Sequence, residues 1–381
     1  MNIPSSNLPR VIIIGGGFAG ISLAKKLKNK PVQVVLLDKH NYHTFQPLLY
    51  QVATGGLEAG SIAYPIRKVI HEHKDFYFRL CHVNEIDTKN NKIIADIGEL
   101  SFDYLVIATG SKTNYFGNKE IERNSIAMKT IPQSLNIRSL ILENFEQALL
   151  TNDVAERNSL INFVLVGGGP TGVELAGALA EMKNAILQKD YPDLDVSKMQ
   201  INLVQSGDRI LNTMSEKSSE AAEKYLKKLG VNVLKNVRVT SYDGRTISTN
   251  TNLVLETATL IWTAGVQGAM VNGLPASSLV EKVERIKVNE FNQVLGFENI
   301  FALGDIASMV TEEYPQGHPQ VAQPAIQQGK LLGENLAKLL QKEKMKPFEY
   351  NDKGSMATIG RNKAVVDLPK YHFHGVFAWF V

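Results

Sequence analysis

The sequence predicts an α/β protein, and three observations carry that reading. Apolar, β-branched runs of four to six residues that exit at glycine into a helical pattern have the signature of buried parallel strands in βαβ units. One such device occurs twice: Val11-Ile12-Ile13-Ile14 leads into Gly15-x-Gly17-x-x-Gly20, and Phe163-Val164-Leu165-Val166 leads into Gly167-x-Gly169-x-x-Gly172. Each copy is then followed by an apolar strand closing in a small-residue turn, Tyr104 to Ile107 before Ala108-Thr109-Gly110 and Leu260 to Thr263 before Ala264-Gly265. The distances match, with 95 residues from Gly15 to Gly110 and 98 from Gly167 to Gly265. A motif repeated with its spacing marks two units of one design.

Composition narrows the function. The chain has 381 residues, 44% hydrophobic and 21% charged, enough for two or three packed domains and far from disorder. Lys+Arg at 41 against Asp+Glu at 38 leave a net charge of +3, which gives no support to a nucleic-acid partner. The single cysteine, Cys81, excludes an internal disulfide and a Cys pair for redox relay or zinc, so any electrons must travel on a bound cofactor. No signal peptide is expected, because the first apolar run, from Val11, breaks at Gly15-Gly16-Gly17. Nor is there an uninterrupted apolar stretch of about 18 residues that would span a membrane. The eight histidines, among them His40 with His43, His71 with His73 and His372 with His374, lack the companions of metal motifs, and no metal is expected. Cys81 reads as a small buried apolar residue.

A lone G-x-G-x-x-G is weak evidence. The first copy also has the preceding strand, the following helix and an acid, Asp38, at the end of a second strand, Val32 to Leu37. Such glycines let backbone approach a pyrophosphate at a positive helix N-terminus, while the acid accepts hydrogen bonds from ribose hydroxyls. In the second copy the equivalent strand, Ile201 to Val204, ends in Gln205. A carboxylate there would repel the 2′-phosphate of NADPH, so glutamine predicts weaker discrimination against it, aided by Arg209. A third apolar strand, Ile300 to Leu303, ends in Gly304-Asp305, and an acid there can hold the ribityl hydroxyls of a flavin, which NAD lacks. Between the copies, Ile131 to Leu150 has helical spacing opened by Pro132 and Ser134 and reads as an amphipathic joining helix. Pro324 suits the first turn of a helix running to about Leu340. From Phe348 to Leu368 short strands punctuated by Asp352-Lys353-Gly354 and Gly360-Arg361-Asn362 suggest a small antiparallel unit.

These features in this order resemble the two-dinucleotide flavoproteins, in which a split FAD domain carries an inserted NAD domain. Four further segments look like the type II NADH:quinone oxidoreductases: Phe45-Gln46-Pro47-Leu48-Leu49-Tyr50-Gln51-Val52-Ala53-Thr54-Gly55, the stretch GGGPTGVELAG from Gly167 to Gly177, Ala322-Gln323-Pro324-Ala325-Ile326-Gln327-Gln328-Gly329, and Gly354 to Arg361. The resemblance covers essentially the whole chain. It implies two Rossmann-like domains: FAD-binding at 1–117 and 286–345, a linking segment at 118–160, NAD(P)H-binding at 161–285, and a C-terminal antiparallel, membrane-associating unit at 346–381. It implies tightly bound FAD, NADH or NADPH as substrate, and a quinone acceptor, without proton pumping. Partners would be the quinone and a membrane surface reached through the C-terminal region. The expected site is peripheral, on the cytoplasmic side of the cell membrane, with a homodimer possible. The apolar string Val376 to Val381 stands where the family's C-terminal anchor would begin.

On this reading the FAD contacts are Gly15, Gly17, Phe18, Ala19, Gly20, Asp38, Lys39, Val83, Ala108, Thr109, Gly110, Gly304, Asp305 and Gln323, and the nucleotide contacts are Gly167, Gly169, Pro170, Thr171, Gly172, Gln205, Ala264 and Gly265. Glu174, two residues past Gly172, reads from sequence alone as a dipole partner in the first turn of its helix; the resemblance makes it a catalytic candidate that orients nicotinamide or delivers protons to quinone. Gln323 and Gln327, four apart on one helical face, are candidates for the quinone carbonyls, set against the plainer reading of a solvated face. Phe45, Pro47, Leu48 and Leu49 are candidates for the wall beside the flavin ring, or simply core. Disulfide and sulfide chemistry need cysteines this chain lacks. The remaining rivals are a ferredoxin or rubredoxin reductase with a protein acceptor, and a nucleotide-binding protein without turnover.

Overall fold

The computed structural model describes residues 1–70 and 74–380. His71 and His73, and Val381 at the end of the apolar string, lie outside the described residues. In chain order, β1 (Arg10–Ile14) turns into α1 (Phe18–Lys26), and β2 (Gln33–Asp38) returns parallel to β1 with Ile12 opposite Val35. The short helix α2 (Leu49–Ala53) precedes β3 (Phe76–Leu80), β4 (Tyr104–Ile107) and β5 (Ile126–Ala127). The long helix α3 (Ile131–Leu150) has the bounds the sequence suggests, though its cap is a residue the sequence reading did not name. Thr130 is its N-cap, in a reciprocal capping box with Gln133, so Pro132 lies inside the first turn and Ser134 is buried there instead of capping it. Then β6 (Phe163–Val166), α4 (Pro170–Met182), β7 (Ile201–Val204), α5 (Glu216–Leu229), β8 (Val231–Leu234) and β9 (Thr259–Trp262) repeat the opening plan. Among the later elements are β10 (Ile300–Ala302), α6 (Ala322–Leu340), the strands β11 (Ser355–Thr358), β12 (Ala364–Asp367) and β13 (His372–Gly375), and the short α7 (Val376–Phe380).

The chain folds into two compact units. The first comprises Met1–Thr44, Ala63–Lys112 and Val266–Asp352, the second Phe45–Ile62, Thr113–Gly265 and Lys353–Val381. In the first, a parallel sheet runs β10-β4-β1-β2-β3. Its strands are buried on both faces, so alternate residues enter different cores. Val11, Ile13 and Leu36 pack with α1 and α6, whereas Ile12, Val35, Leu37 and Leu105 face the opposite way. Each such buried side chain contributes about 1.5–3 kcal/mol over an exposed one. Helices α1 and α6 cross closely because α6 offers glycine at the contact: a Cβ on Gly329 would stand 2.5 Å from the Ala19 carbonyl oxygen. Phe348 is buried in this unit's core.

The second unit holds a parallel sheet of order β5-β9-β6-β7-β8, with Val166 opposite both Val204 and Trp262. The C-terminal strands form an antiparallel sheet, Ser355 opposite Asp367 and Val365 opposite His374, and Asp367 ties it to α5 by accepting hydrogen bonds from the Ser215 N–H and the Ser218 hydroxyl, both at 2.6 Å. The architecture is the α/β class the sequence predicts. No helix of the described residues is long and apolar enough to cross a membrane.

Candidate functional site

Two glycine loops, one in each unit, repeat one geometry. Gly15 and Gly167 lie at φ +109° and +115°, where an L side chain is strained. A Cβ on Gly20 would fall 1.9 Å from the Gly15 carbonyl oxygen, and one on Gly172 2.0 Å from that of Gly167, so only glycine lets each helix start this close to its strand. The middle glycines behave differently. Gly17 and Gly169 have ordinary negative φ, and a Cβ on either would meet no protein atom within 4 Å. Each is the N-cap of its helix, with no side chain capping the free N–H groups of α1 or α4. Both loops thus present an open space beside unsatisfied donors at a positive helix end, which suits a pyrophosphate.

In the first unit Asp38 braces its own loop: Oδ2 accepts the Gly16 N–H at 2.6 Å and Oδ1 accepts the His40 N–H at 2.7 Å. A carboxylate keeps further lone pairs for a sugar hydroxyl. The His43 ring, held neutral by burial, hydrogen-bonds through Nδ1 to the Gly16 carbonyl at 3.0 Å and meets Phe18 edge-on. Ala19 is buried under the loop, and Lys39 is exposed beside Asp38. In the turn after β4, Gly110 is open to solvent space and the Thr109 hydroxyl is buried with no protein partner. Val83 sits in the apolar core with Ile86 and Ala95.

Asp305, following β10, accepts the Ser111 hydroxyl at 2.5 Å, while its carbonyl receives Gln320 Nε2 at 3.0 Å. The turn is fixed from α6 by the buried Gln328, whose Oε1 accepts the Gly304 N–H at 2.7 Å. Pro324 lies in the first turn of α6, where no side chain caps the helix. Ser111, Gln328 and His43 escape sequence reasoning because each acts on backbone or on a residue distant in the chain. Gln327 is engaged at both ends by Asn351, donating from Nε2 to the carbonyl at 2.9 Å and accepting the N–H at 3.0 Å. Gln323 is half-buried on the same helix.

In the second unit Gln205 reproduces the Asp38 bond: Oε1 accepts the Gly168 N–H at 2.9 Å. Arg209 donates to the carbonyls of Met214 at 3.0 Å and Asn212 at 2.8 Å, so its guanidinium is partly committed to the loop. Pro170 begins α4, Thr171 is exposed beside it, and Gly265, at φ +74°, lets the Phe116 ring lie against its Cα. Ala264 packs at the edge of this unit's core. Glu174 is the fifth helical residue, past the first turn, so the dipole reading drawn from sequence does not hold. Burial pushes its carboxyl up to about 8, against the Thr358 N–H, which donates to Oε1 at 3.4 Å. Phe45 and Pro47 are exposed, Leu48 is half-buried and Leu49 is core. Burial also raises the Cys81 thiol to about 11, which leaves it unreactive at neutral pH.

A family model described as pyridine nucleotide-disulphide oxidoreductase matches residues 9–329. The type II NADH:quinone oxidoreductase Ndh of Mycobacterium tuberculosis is 35% identical over 386 residues, covering 98% of this chain and 82% of the relative. The chain belongs to the type II NADH:quinone oxidoreductases. Like the rest of this family it is an oxidoreductase. The external alternative NADH-ubiquinone oxidoreductase of Yarrowia lipolytica mitochondria is 29% identical, covering 99% of this chain and 75% of the relative. A solved structure of NDH2 from Plasmodium falciparum in complex with NADH has a TM-score of 0.89 at 24% identity, covering 97% and 92% of the two chains. The sulfide:quinone oxidoreductase of Aquifex aeolicus has a TM-score of 0.77 at 19% identity, covering 98% and 88%. At these identities the two structures speak for the fold, and the substrate is a matter for the site.

Proposed function

We propose that this enzyme oxidises NADH and passes two electrons to a quinone, with FAD held by the first unit. The observation that carries the reading is the duplicated cradle, two glycine loops of one geometry that each leave room for a pyrophosphate. FAD also fits the first unit: the open space at Gly17, the uncapped start of α1 and the orphaned Thr109 hydroxyl are what such a group would fill. Gly15, Gly17, Gly20, Asp38, Thr109 and Asp305 would hold it, with Lys39, Val83 and Gln323 as further contacts. When bound, FAD supplies the two-electron carrier between a nicotinamide and a quinone. The segments Met1–Thr44, Ala63–Lys112 and Val266–Asp352 are proposed for FAD, and the stretch Thr113–Gly265 of the second unit for the nicotinamide nucleotide.

The chain's own residues position and protonate. The first turn of α6 leaves its N–H groups without a side-chain cap, and its partial positive charge favours a negative ligand placed there. In the second unit the loop from Gly167 to Gly172 holds the nucleotide's pyrophosphate, and Gln205, without charge, tolerates NADPH beside NADH. Quinol formation needs two protons. Glu174, with its carboxyl near pH 8, carries one at neutral pH and can yield it. Gln323 is the proposed contact to a quinone carbonyl, whereas the amide of Gln327 is taken at both ends by Asn351. The exposed Phe377, Trp379 and Phe380 of α7 suit a peripheral contact with the cytoplasmic membrane surface. Anaerobic NADH should bleach a yellow holoprotein and quinone should restore its colour; protein that stays colourless with excess FAD, or bleaches and recovers only with a protein acceptor, would overturn the proposal.

A further inference from the structure

Glu174 does not stand alone on α4. Within the second unit, Tyr50 of α2 places its hydroxyl 2.8 Å from Thr358 Oγ1 at the end of β11, and Gln51 Nε2 donates to that same hydroxyl at 3.0 Å. Thr358 in turn offers its backbone N–H to Glu174 Oε1 at 3.4 Å. The Gln51 amide occupies one lone pair on the Tyr50 oxygen, and the Tyr50 and Thr358 hydroxyls share a hydrogen bond in which either can donate. Tyr50 is nearly buried, so the arrangement is not a chance surface contact. These partners are 308 residues apart in sequence for Tyr50 and Thr358, and 184 for Thr358 and Glu174.

We propose that Tyr50 is a positioning residue for Glu174, holding through Thr358 the peptide N–H that stabilises the ionised carboxylate. The inference rests on the reading of Glu174 as the proton carrier. The N–H is the hydrogen bond that opposes the effect of burial on Glu174. Of the two elements that form this hydrogen-bond chain, α2 carries Tyr50 as its titratable group and β11 carries none, and the influences on the Glu174 carboxyl are burial and the Thr358 N–H. On its own helix Glu181, two turns on, accepts the Arg361 N–H. Loosening Thr358 therefore weakens support for the charged form, and the Glu174 carboxyl titrates at higher pH.

The test compares the holoenzyme with Tyr50→Phe, Thr358→Val, Thr358→Ser and Glu174→Gln. Two readouts are taken: the pH profile of kcat for NADH-dependent quinone reduction, and the infrared carbonyl band of the protonated carboxyl, assigned by its loss in Glu174→Gln. Tyr50→Phe and Thr358→Val should each move the midpoint upward by a few tenths to about one pH unit, whereas Thr358→Ser, which keeps the hydroxyl, should match wild type. A limb that rises or falls with pH moves the same way, so the result does not depend on which form of Glu174 acts. Unmoved infrared midpoints in both Tyr50→Phe and Thr358→Val overturn the positioning role. If Glu174→Gln retains the kinetic limb, the catalytic reading of Glu174 fails instead, and the infrared midpoints still decide what Tyr50 does.

Discussion

A methyl group on Gly17 separates a ligand cradle from a mere packing turn. Gly17 has φ −75°, open to any residue, and a Cβ added there would have nothing within 4 Å. Alanine at an N-cap loses a few tenths of a kcal/mol or more against glycine, and the stiffer unfolded chain returns about 0.4–1 kcal/mol. Gly17→Ala should therefore leave the stability of the FAD-free protein within about 1 kcal/mol of wild type. A pyrophosphate in the cradle would have to retreat from the methyl, and losing even one good backbone hydrogen bond to a charged group costs about 1.5–3 kcal/mol, or roughly a tenfold to hundredfold weaker FAD affinity. Gly20→Ala is the contrasting control. Its Cβ would lie 1.9 Å from the Gly15 carbonyl oxygen, about 1 Å inside the closest approach real Cβ atoms make, so the protein itself should be destabilised. Apoprotein melts and flavin titration by fluorescence quenching measure both quantities. Wild-type FAD affinity in Gly17→Ala would refute the cradle, and the same substitution at Gly169 should raise the KM for NADH while sparing flavin content.

Other outcomes follow from the same geometry. Gln205→Glu keeps an acceptor for the Gly168 N–H but adds charge, so the NADH/NADPH ratio of kcat/KM should rise about tenfold, from a like-charge repulsion of ~1–2 kcal/mol; an unchanged ratio argues that the 2′-phosphate lies elsewhere. Gln328→Leu strands the Gly304 N–H at a cost of about 1–3 kcal/mol and should accelerate FAD loss on dialysis, whereas Gln328→Glu should not. Burial pushes the Asp367 carboxyl up, but the hydroxyls of Ser218 and Ser215, the Ser215 N–H and His372 outweigh it and hold the carboxyl below its usual range. A depressed folded-state value stabilises at pH above the ordinary carboxylate value and stops doing so as pH falls through the folded one. Asp367→Asn should thus melt lower than wild type at neutral pH, with the gap closing in acid; a gap that is constant with pH would count against the assignment.

Much of this is legible in the sequence because it is local. Glycine spacing, the strand before it and the residue ending the next strand lie within about forty positions, and the loop geometry follows from them. What Asp38 does for its own loop is hidden, because a side-chain bond to the Gly16 N–H leaves no trace in spacing. The glutamine at 205 reads as a departure in charge, yet structurally it preserves the same bond. The Tyr50–Thr358–Glu174 chain is out of reach, since three segments meet only after folding. Gln327 looks like a ligand group by helical periodicity, which cannot register that Asn351 satisfies both ends of its amide. The grouping of Phe45–Ile62 with the second unit likewise has no signature in composition.

The tie between a loop N–H and the residue at position 38 or 205 also limits how nucleotide preference can be altered. An arginine or alanine at 205, introduced to welcome a phosphate, would remove the oxygen that tethers Gly168 and slacken the turn it was meant to improve. On the proposed reading, engineers seeking NADPH use should keep the amide there and vary the stretch just beyond, where Asp208 and Arg209 lie.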